Sequence, residues 1–294
     1  MKQIKGGVCA PKGFQAAGIH CGIRKNREKK DLALIVADRD CAAAACYTKN
    51  RVKAAPVYLT MEHLQNGTAR AVICNSGNAN ACAPNGRENA ERMCVCTANA
   101  LGISPEDVVC ASTGVIGEEL PVAPIESAMD ALVAALAQDG DAAATAILTT
   151  DTVKKEYAFE FELDGMPVRI AGMAKGSGMI HPNMGTMLAF LTTDVNIAPN
   201  LLQEILSLSV TRTFNRVSVD GDTSTNDMAV ILASGAAGNA AITPGSAAYQ
   251  VLADAIQAVC QYLACAIARD GEGATKLVSC TVAGAASEDD AVVF

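Results

Sequence analysis

Residues 175–188 read Lys175-Gly-Ser-Gly-Met-Ile-His-Pro-Asn-Met-Gly185-Thr186-Met-Leu. This stretch is a glycine-rich turn that leads into an apolar segment typical of a buried strand. Thr186 follows the unhindered carbonyl of Gly185, so its Oγ could attack that carbonyl and shift the acyl group from nitrogen to oxygen. Hydrolysis would leave Thr186 as a new N-terminus, whose α-amino group is a usable base near neutral pH. The alternative is a plain turn before a strand.

Around this stretch, the chain contains short runs rich in β-branched residues and longer segments in which apolar residues repeat with helical spacing. Strands are predicted at residues 32–37, 71–74, 108–111, 157–163, 168–173, 187–195, 217–219, 228–233 and 277–282, with a tight hairpin at Asp164-Gly165. Helices are predicted at residues 89–101, 124–138, 199–214 and 247–268. Alanine runs at 42–45 and 142–146 are interpreted as helix starts or packing surfaces. Because strands and helices mix without strict alternation, the sequence predicts an α+β fold with helices packed on mostly antiparallel sheets.

The composition argues against several classes of function. The chain has 294 residues, half of them hydrophobic, and a net charge of -8, which disfavours a nucleic-acid partner. No apolar run is long enough for a membrane helix, so no membrane partner is expected. The 12 cysteines lie mostly in apolar segments, and no signal peptide is recognisable, so we predict buried thiols in the reducing cytoplasm. Neither the cysteines nor the three histidines have the spacing of metal ligands, so no metal site is expected.

Several polar loops follow predicted strands and are candidates for chemistry. The segment Ser112-Thr113-Gly114-Val115-Ile116-Gly117 has two glycines that let backbone N–H groups converge, as an oxyanion hole requires. Residues 75–81 and 149–152 are also polar loops at strand edges. Each of the three segments could instead be a simple turn that satisfies its own backbone.

The segment Asp220-Gly-Asp222-Thr-Ser-Thr225-Asn-Asp227 begins like a calcium-binding EF-hand loop. The twelfth position of such a loop would be Ile231, where a bidentate glutamate is needed, and the sixth holds Thr225 in place of glycine. The EF-hand interpretation is therefore rejected in favour of a tight polar turn between two strands.

Taken together, these segments resemble the ornithine acetyltransferase family, the glutamate N-acetyltransferases of arginine biosynthesis. The resemblance runs from near the N-terminus to about residue 285. The segments that carry it are residues 75–80, 112–117, 149–152, 173–180, 182–188, 220–227 and 270–276.

The resemblance implies a self-processing fold with a threonine nucleophile at a new N-terminus. Cleavage between Gly185 and Thr186 would give an alpha segment, 1–185, that carries the oxyanion hole and a beta segment, 186–294, that begins with the nucleophile. The resemblance assigns catalysis to Thr186, with Thr113 and Gly114 as the oxyanion-hole pair. It assigns substrate binding to Thr149, Lys175, Thr186 and Glu272.

The reaction that the resemblance implies is covalent and has two steps. Thr186 takes the acetyl group of N-acetylornithine, and glutamate then removes it from the acetyl-threonine. No cofactor is required, although acetyl-CoA is a candidate second donor. The expected protein partners are the two cleaved segments themselves, as a heterotetramer of two alpha and two beta chains.

This chain departs from the family pattern in two ways, at the residue before the nucleophile and in its length. Many relatives carry alanine where this chain has Gly185, a change that preserves or eases attack at the carbonyl. Family members continue for roughly another quarter of their length and use late residues at the substrate site, so a chain that ends on Ala-Val-Val-Phe294 is expected to be a fragment.

Two other functions are compatible with the residues. A self-processing threonine amidase or aminopeptidase would use the same geometry but give the acyl group to water. An inactive amino-acid-binding or assembly protein would keep an intact chain and carry no acyl adduct.

Overall fold

A computed structural model describes residues 1–181 and 187–293 of the chain. Its strands are β1 (Lys2–Gln3), β2 (Phe14–Ile19), β3 (Leu32–Tyr47), β4 (Thr68–Asn78), β5 (Val108–Val115), β6 (Lys155–Leu163), β7 (Met166–Lys175), β8 (Leu188–Thr193) and β9 (Met228–Ala233). Its helices are α1 (Ala55–His63), α2 (Gly86–Leu101), α3 (Val122–Ala134), α4 (Asp141–Ala146), α5 (Pro199–Arg212), α6 (Ala247–Arg269) and α7 (Glu288–Val293).

One sheet joins the described strands in the order β1-β6-β7-β8-β9-β3-β4-β5, and β2 pairs with β3 beside this path. The pairs β8–β9 and β4–β5 are parallel, and the other pairs are antiparallel. The predicted α+β class with a mostly antiparallel sheet is therefore confirmed. The two parallel pairs matter for the site, because the loops around them carry the polar segments noted in the sequence.

Helices bury alternate residues of the strands on the sheet faces. Helices α5 and α6 share a core with β6 to β9, whereas α1, α2 and α3 share a second core with β4 and β5. A third cluster includes alternate residues of β3, β4, β8 and β9 together with α4. The α6 helix meets the sheet closely at Gly172, where a Cβ would lie 2.9 Å from Leu263 and Val259 side chains.

Helix α6 is long and apolar enough to cross a membrane by length and composition alone. Its apolar stripe packs against the sheet, since residues such as Leu252, Ile256 and Leu263 are fully buried in the core shared with β6 and β7. The amphipathic character that predicted this helix thus has a structural explanation inside the fold.

The structure corrects three local predictions. The alanine run 42–45 lies in strand β3 and pairs with β9, so its helical propensity is overridden by the sheet. Residues 217–219 and 277–282 form no strand. Strand β2 was not predicted, because its alanines and glycine lack the branched residues of a typical strand. The β6–β7 hairpin turns at Asp164 and Gly165, both with positive φ, as predicted.

Candidate active site

The segment with the predicted nucleophile leads into β8. Gly185 and Thr186 lie outside the described residues, and the first described residue after them is Met187. The Met187 amide donates to Asp227 Oδ1 at 2.8 Å, and the Met187 carbonyl accepts from the Met228 amide at 3.2 Å. The chain directly after Thr186 is therefore anchored to the start of β9.

The predicted oxyanion-hole residues lie at the end of β5. Thr113 pairs with Ser76 and Gly114 pairs with Gly77 in the parallel β4–β5 ladder. Gly114 has a φ of 137°, and a Cβ there would lie 2.3 Å from the carbonyl carbon of Gly77. Glycine is therefore required at 114 both by its backbone conformation and by the close approach of β4.

A buried amide side chain holds these strand ends in place. Asn226 Nδ2 donates to the carbonyls of Ala79 at 2.6 Å and Ser112 at 2.9 Å. The Ala79 amide in turn donates to the Val115 carbonyl at 2.8 Å. Asn226 belongs to one of the segments that carried the family resemblance, but its role as an anchor could not be read from the sequence, because both acceptors are over a hundred residues away.

A cavity of about 540 Å³ brings the described candidate residues together. Its wall contains Thr113, Gly114, Thr149, Lys175 and Glu272, which come from four separate segments of the chain. Other lining residues are Arg24, Gly77, Ala79, Val115, Ile116, Thr150, Gly178, Met179, Asp220, Ser224 and Asn226. Every predicted site residue that the structure describes therefore faces this one cavity.

Lys175 supplies a buried positive charge at the end of β7. It pairs with Leu188 in the β7–β8 register, so it lies beside the start of the strand that follows Thr186. Burial lowers the pKa of Lys175, while attraction to Asp151 and Asp227 opposes that shift. Within residues 1–181 and 187–293, Nζ makes no hydrogen bond or ion pair, so the amine is available to a ligand in the cavity.

A buried ion network supports the cavity from behind. Lys155 Nζ lies 2.7 Å from Asp151 Oδ1 and 2.6 Å from Asp270 Oδ2, and its side chain has no exposed surface. The Asp151 carboxylate also accepts from the amides of Gly176 at 2.7 Å and Thr149 at 3.0 Å. The network thus fixes the Thr149 loop against the end of β7.

The same network positions Glu272. Asp270 accepts from the Thr152 amide at 3.0 Å, which ties the end of α6 to the 149–152 loop. Two residues later, the Glu272 amide donates to the Ser177 carbonyl at 2.7 Å. A Cβ on Gly178 would lie 2.6 Å from Glu272 Oε2, so the carboxylate rests directly on that glycine. Glu272 itself is exposed and places a negative charge on the cavity wall.

The predicted turn at residues 220–227 has a structural role at the cavity. The Asp220 carboxylate accepts from the amides of Met179 at 2.7 Å, Ile180 at 2.9 Å and Asp222 at 3.1 Å. Two of these donors belong to the glycine-rich segment and the third to the turn itself, so the carboxylate ties the two segments together. Within the described residues, no group of three or more histidine, cysteine or acidic side chains is arranged to hold a metal ion.

Two residues at the site, Asp227 and Arg24, were not predicted from the sequence to be site residues. Asp227 is buried beside Met187, and burial raises the pKa of its carboxyl well above the ordinary value, with attraction to Lys175 opposing the shift. Arg24 lines the cavity from a loop near the N-terminus. The only sequence signal for Arg24 was a short basic run, which resembles an ordinary solvated loop.

The sequence matches the ArgJ family over residues 15–294. It is similar to the arginine biosynthesis bifunctional protein ArgJ of Symbiobacterium thermophilum, with 52% identity over 294 residues. That match covers 99% of this chain and 73% of the relative.

The structure is similar to that of ornithine acetyltransferase from Mycobacterium tuberculosis complexed with ornithine, with a TM-score of 0.57 and 39% identity. The match covers 62% of this chain and 97% of that chain. The L-aminopeptidase D-Ala-esterase/amidase of Ochrobactrum anthropi, a variant of the Ntn hydrolase fold, matches with a TM-score of 0.51 and 10% identity, over 91% of this chain and 86% of that chain. At that identity the likeness concerns the fold alone.

Proposed function

The chain belongs to the ArgJ family, and we propose that it is a glutamate N-acetyltransferase that moves the acetyl group of N-acetylornithine to glutamate. The observation that carries the proposal is the convergence of Thr113, Gly114, Lys175 and Glu272 on one cavity beside the strand that follows Thr186. This cavity brings the predicted oxyanion-hole residues, a buried cation and an exposed anion into one space.

In the first half of the proposed reaction, Thr186 Oγ attacks the acetyl carbonyl of N-acetylornithine. The proton of the hydroxyl passes to the α-amine of Thr186, and the negative charge that develops on the carbonyl oxygen is held by Thr113 and Gly114. The C–N bond then breaks, the amine returns the proton to the departing nitrogen, and ornithine leaves. The product on the enzyme is an acetyl-threonine ester.

In the second half, the α-amine of glutamate attacks that ester. The ester C–O bond breaks, Thr186 Oγ regains a proton, and N-acetylglutamate leaves. The buried Lys175 ammonium is suited to the carboxylate that both amino acids carry, since a desolvated cation pairs strongly with an anion. Glu272 is suited to the cationic side chain of ornithine.

The same nucleophile accounts for activation of the chain. We propose that Thr186 attacks the Gly185 carbonyl and that hydrolysis of the resulting ester separates segments 1–185 and 186–294. The two segments remain associated because they share one sheet, in which β7 pairs with β8 and β3 pairs with β9. We propose a heterotetramer of two copies of each segment, located in the cytoplasm.

The proposed cycle needs no cofactor, because the acetyl group travels on Thr186. Acetyl-CoA stays a proposed second donor, and it is tested by replacing N-acetylornithine with acetyl-CoA in the first half-reaction. Formation of the same acetyl-enzyme would establish the second donor activity.

The test of the proposed function is a half-reaction without acceptor. Enzyme mixed with N-acetylornithine should release one equivalent of ornithine in a burst and hold the acetyl group until glutamate is added. Steady-state rates should follow ping-pong kinetics. Continuous release of acetate without glutamate would identify an amidase, and the absence of any ornithine release would contradict both enzymes.

A further inference from the structure

The cavity wall carries charged side chains to which the proposed reaction gives no role. Its ionisable side chains are Arg24, Lys175, Asp220 and Glu272. Asp220 is occupied by three backbone amides, so it is unsuited to bind a ligand. Two cations and one anion are therefore left to recognise the substrates.

Arg24 is held at the cavity by its own backbone. The Arg24 amide donates to Asp31 Oδ2 at 2.8 Å, and the Cys21 amide donates to Asp31 Oδ1 at 2.6 Å. Asp31 is fully buried directly before β3, so its hydrogen bonds hold the loop that carries Arg24 against the sheet. The position of the arginine is thus set by the fold and is independent of any ligand.

The side chain of Arg24 lies across the oxyanion region. A Cβ on Gly77 would lie 2.9 Å from Arg24 Cγ, so the stem packs directly on the strand that pairs with Gly114. At its far end, Nη2 donates to the carbonyl of Leu148, the residue before Thr149. The side chain therefore extends from Gly77, beside the predicted oxyanion-hole residues, to the Thr149 loop, and both ends lie on the cavity wall.

The guanidinium has unused hydrogen-bonding capacity. Nε is buried without a hydrogen-bond partner in the described part of the chain. Arg24 also forms no ion pair within residues 1–181 and 187–293, although most arginines near acidic residues on this protein do. Burial lowers the pKa of Arg24, and attraction to Asp31 and Asp151 opposes that shift without a direct ion pair, so a ligand carboxylate that contacts the guanidinium would stabilise it further.

The two amino acids that the proposed reaction handles differ in side-chain charge. Ornithine has a cationic side chain and glutamate an anionic one, while the α-carboxylate is common to both. Lys175 is sufficient for the common carboxylate, and Glu272 matches the ornithine ammonium. Glutamate therefore needs one more cation than ornithine does.

We propose that Arg24 is the specificity residue that binds the side-chain carboxylate of the acceptor glutamate. This inference rests on the proposed acetyltransferase function and adds the group that distinguishes acceptor from donor. The planar guanidinium can engage a carboxylate with two parallel N–H bonds, a geometry that a lysine in the same place would not reproduce.

The test separates the two half-reactions in Arg24→Gln. The kcat/KM for glutamate in deacylating the acetyl-enzyme should fall about 10- to 100-fold, as expected for loss of a charge-assisted carboxylate contact. The rate of acetyl-enzyme formation from N-acetylornithine should change by less than about threefold. Arg24→Lys should recover part of the glutamate rate. Arg27→Gln, which removes an exposed arginine from the same loop, should leave both rates unchanged.

Equal losses in both half-reactions of Arg24→Gln and Arg24→Lys would overturn the assignment, because Arg24 would then serve the common carboxylate or the fold. Unchanged glutamate kinetics would overturn it as well. Wild-type protein that forms no acetyl-enzyme would overturn the proposed function itself, a result distinguishable from failure of Arg24 alone.

Discussion

Lys155 provides the sharpest test of how the site is built. Its ammonium lies between Asp151 and Asp270 at 2.7 and 2.6 Å, and the three side chains are 0, 0 and 5% exposed. Lys155→Met removes the central charge at nearly constant volume and leaves two buried carboxylates without their shared cation. Breaking a buried pair in this way typically costs about 3–5 kcal/mol.

The neighbouring residue gives a matched control. Lys154 also has two acidic partners, Asp141 and Glu156, but its side chain is 28% exposed and the Asp141 side chain 60% exposed. Exposed ion pairs contribute about 0–1 kcal/mol, so Lys154→Met should be nearly neutral. The two substitutions delete the same group from adjacent positions and differ mainly in burial.

Urea unfolding measures both free energies. The comparison is made in a Thr186→Ala background, so that each variant unfolds as one uncleaved chain. We expect Lys155→Met to lower the free energy of unfolding by about 3–5 kcal/mol and Lys154→Met by less than about 1 kcal/mol. Equal losses for the two variants, or a neutral Lys155→Met, would refute the idea that this network holds the Thr149 loop and α6 together.

Three further outcomes follow from the geometry of the site. Gly114→Ala should lower kcat about 10²- to 10³-fold, because the added Cβ would disrupt the oxyanion site. Gly117 also has a positive φ, but a Cβ there would meet no neighbouring atom, so Gly117→Ala should cost only about 1 kcal/mol of stability and retain activity. In urea unfolding, Asp227→Asn should be better tolerated than Asp227→Ala, which should cost about 1–3 kcal/mol because the Met187 amide, directly before β8, loses its acceptor. Burial raises the pKa of the Asp151 and Asp270 carboxyls, but attraction to lysine and hydrogen bonds outweigh it, so both pKa values are lowered in the folded protein. The stability that these carboxylates contribute is therefore complete above the carboxyl pKa of the unfolded chain and is lost as the pH falls through the folded value. Unfolding measured at a series of acidic pH values checks this expectation.

Much of the fold could be predicted because its elements carry local signals. The α6 stripe, the β6–β7 hairpin and the strand after Thr186 each have a clear period or turn residue. The alanines at 42–45 show where this reasoning stops, since only pairing with β9 makes them a strand. The secondary structure of that segment is set by tertiary contacts, which a local sequence pattern does not reveal.

The candidate site was predicted in part, for a related reason. Thr113, Gly114, Lys175 and Glu272 lie in motifs that can be compared along the sequence. Arg24 could not be predicted as a site residue in this way, because its place at the cavity depends on contact with Gly77, which is distant in sequence. The contact of Lys155 with Asp270 could not be predicted from the sequence for the same reason, since the two residues are more than a hundred positions apart.

Mass analysis of the purified protein after incubation with N-acetylornithine, without acceptor, tests the central claim most directly. The account predicts two fragments, 1–185 and 186–294, with one acetyl group on Thr186 of the second, and a single unacetylated chain for Thr186→Ala. An intact wild-type chain, an acetyl group on another residue, or cleavage that persists in Thr186→Ala would contradict it.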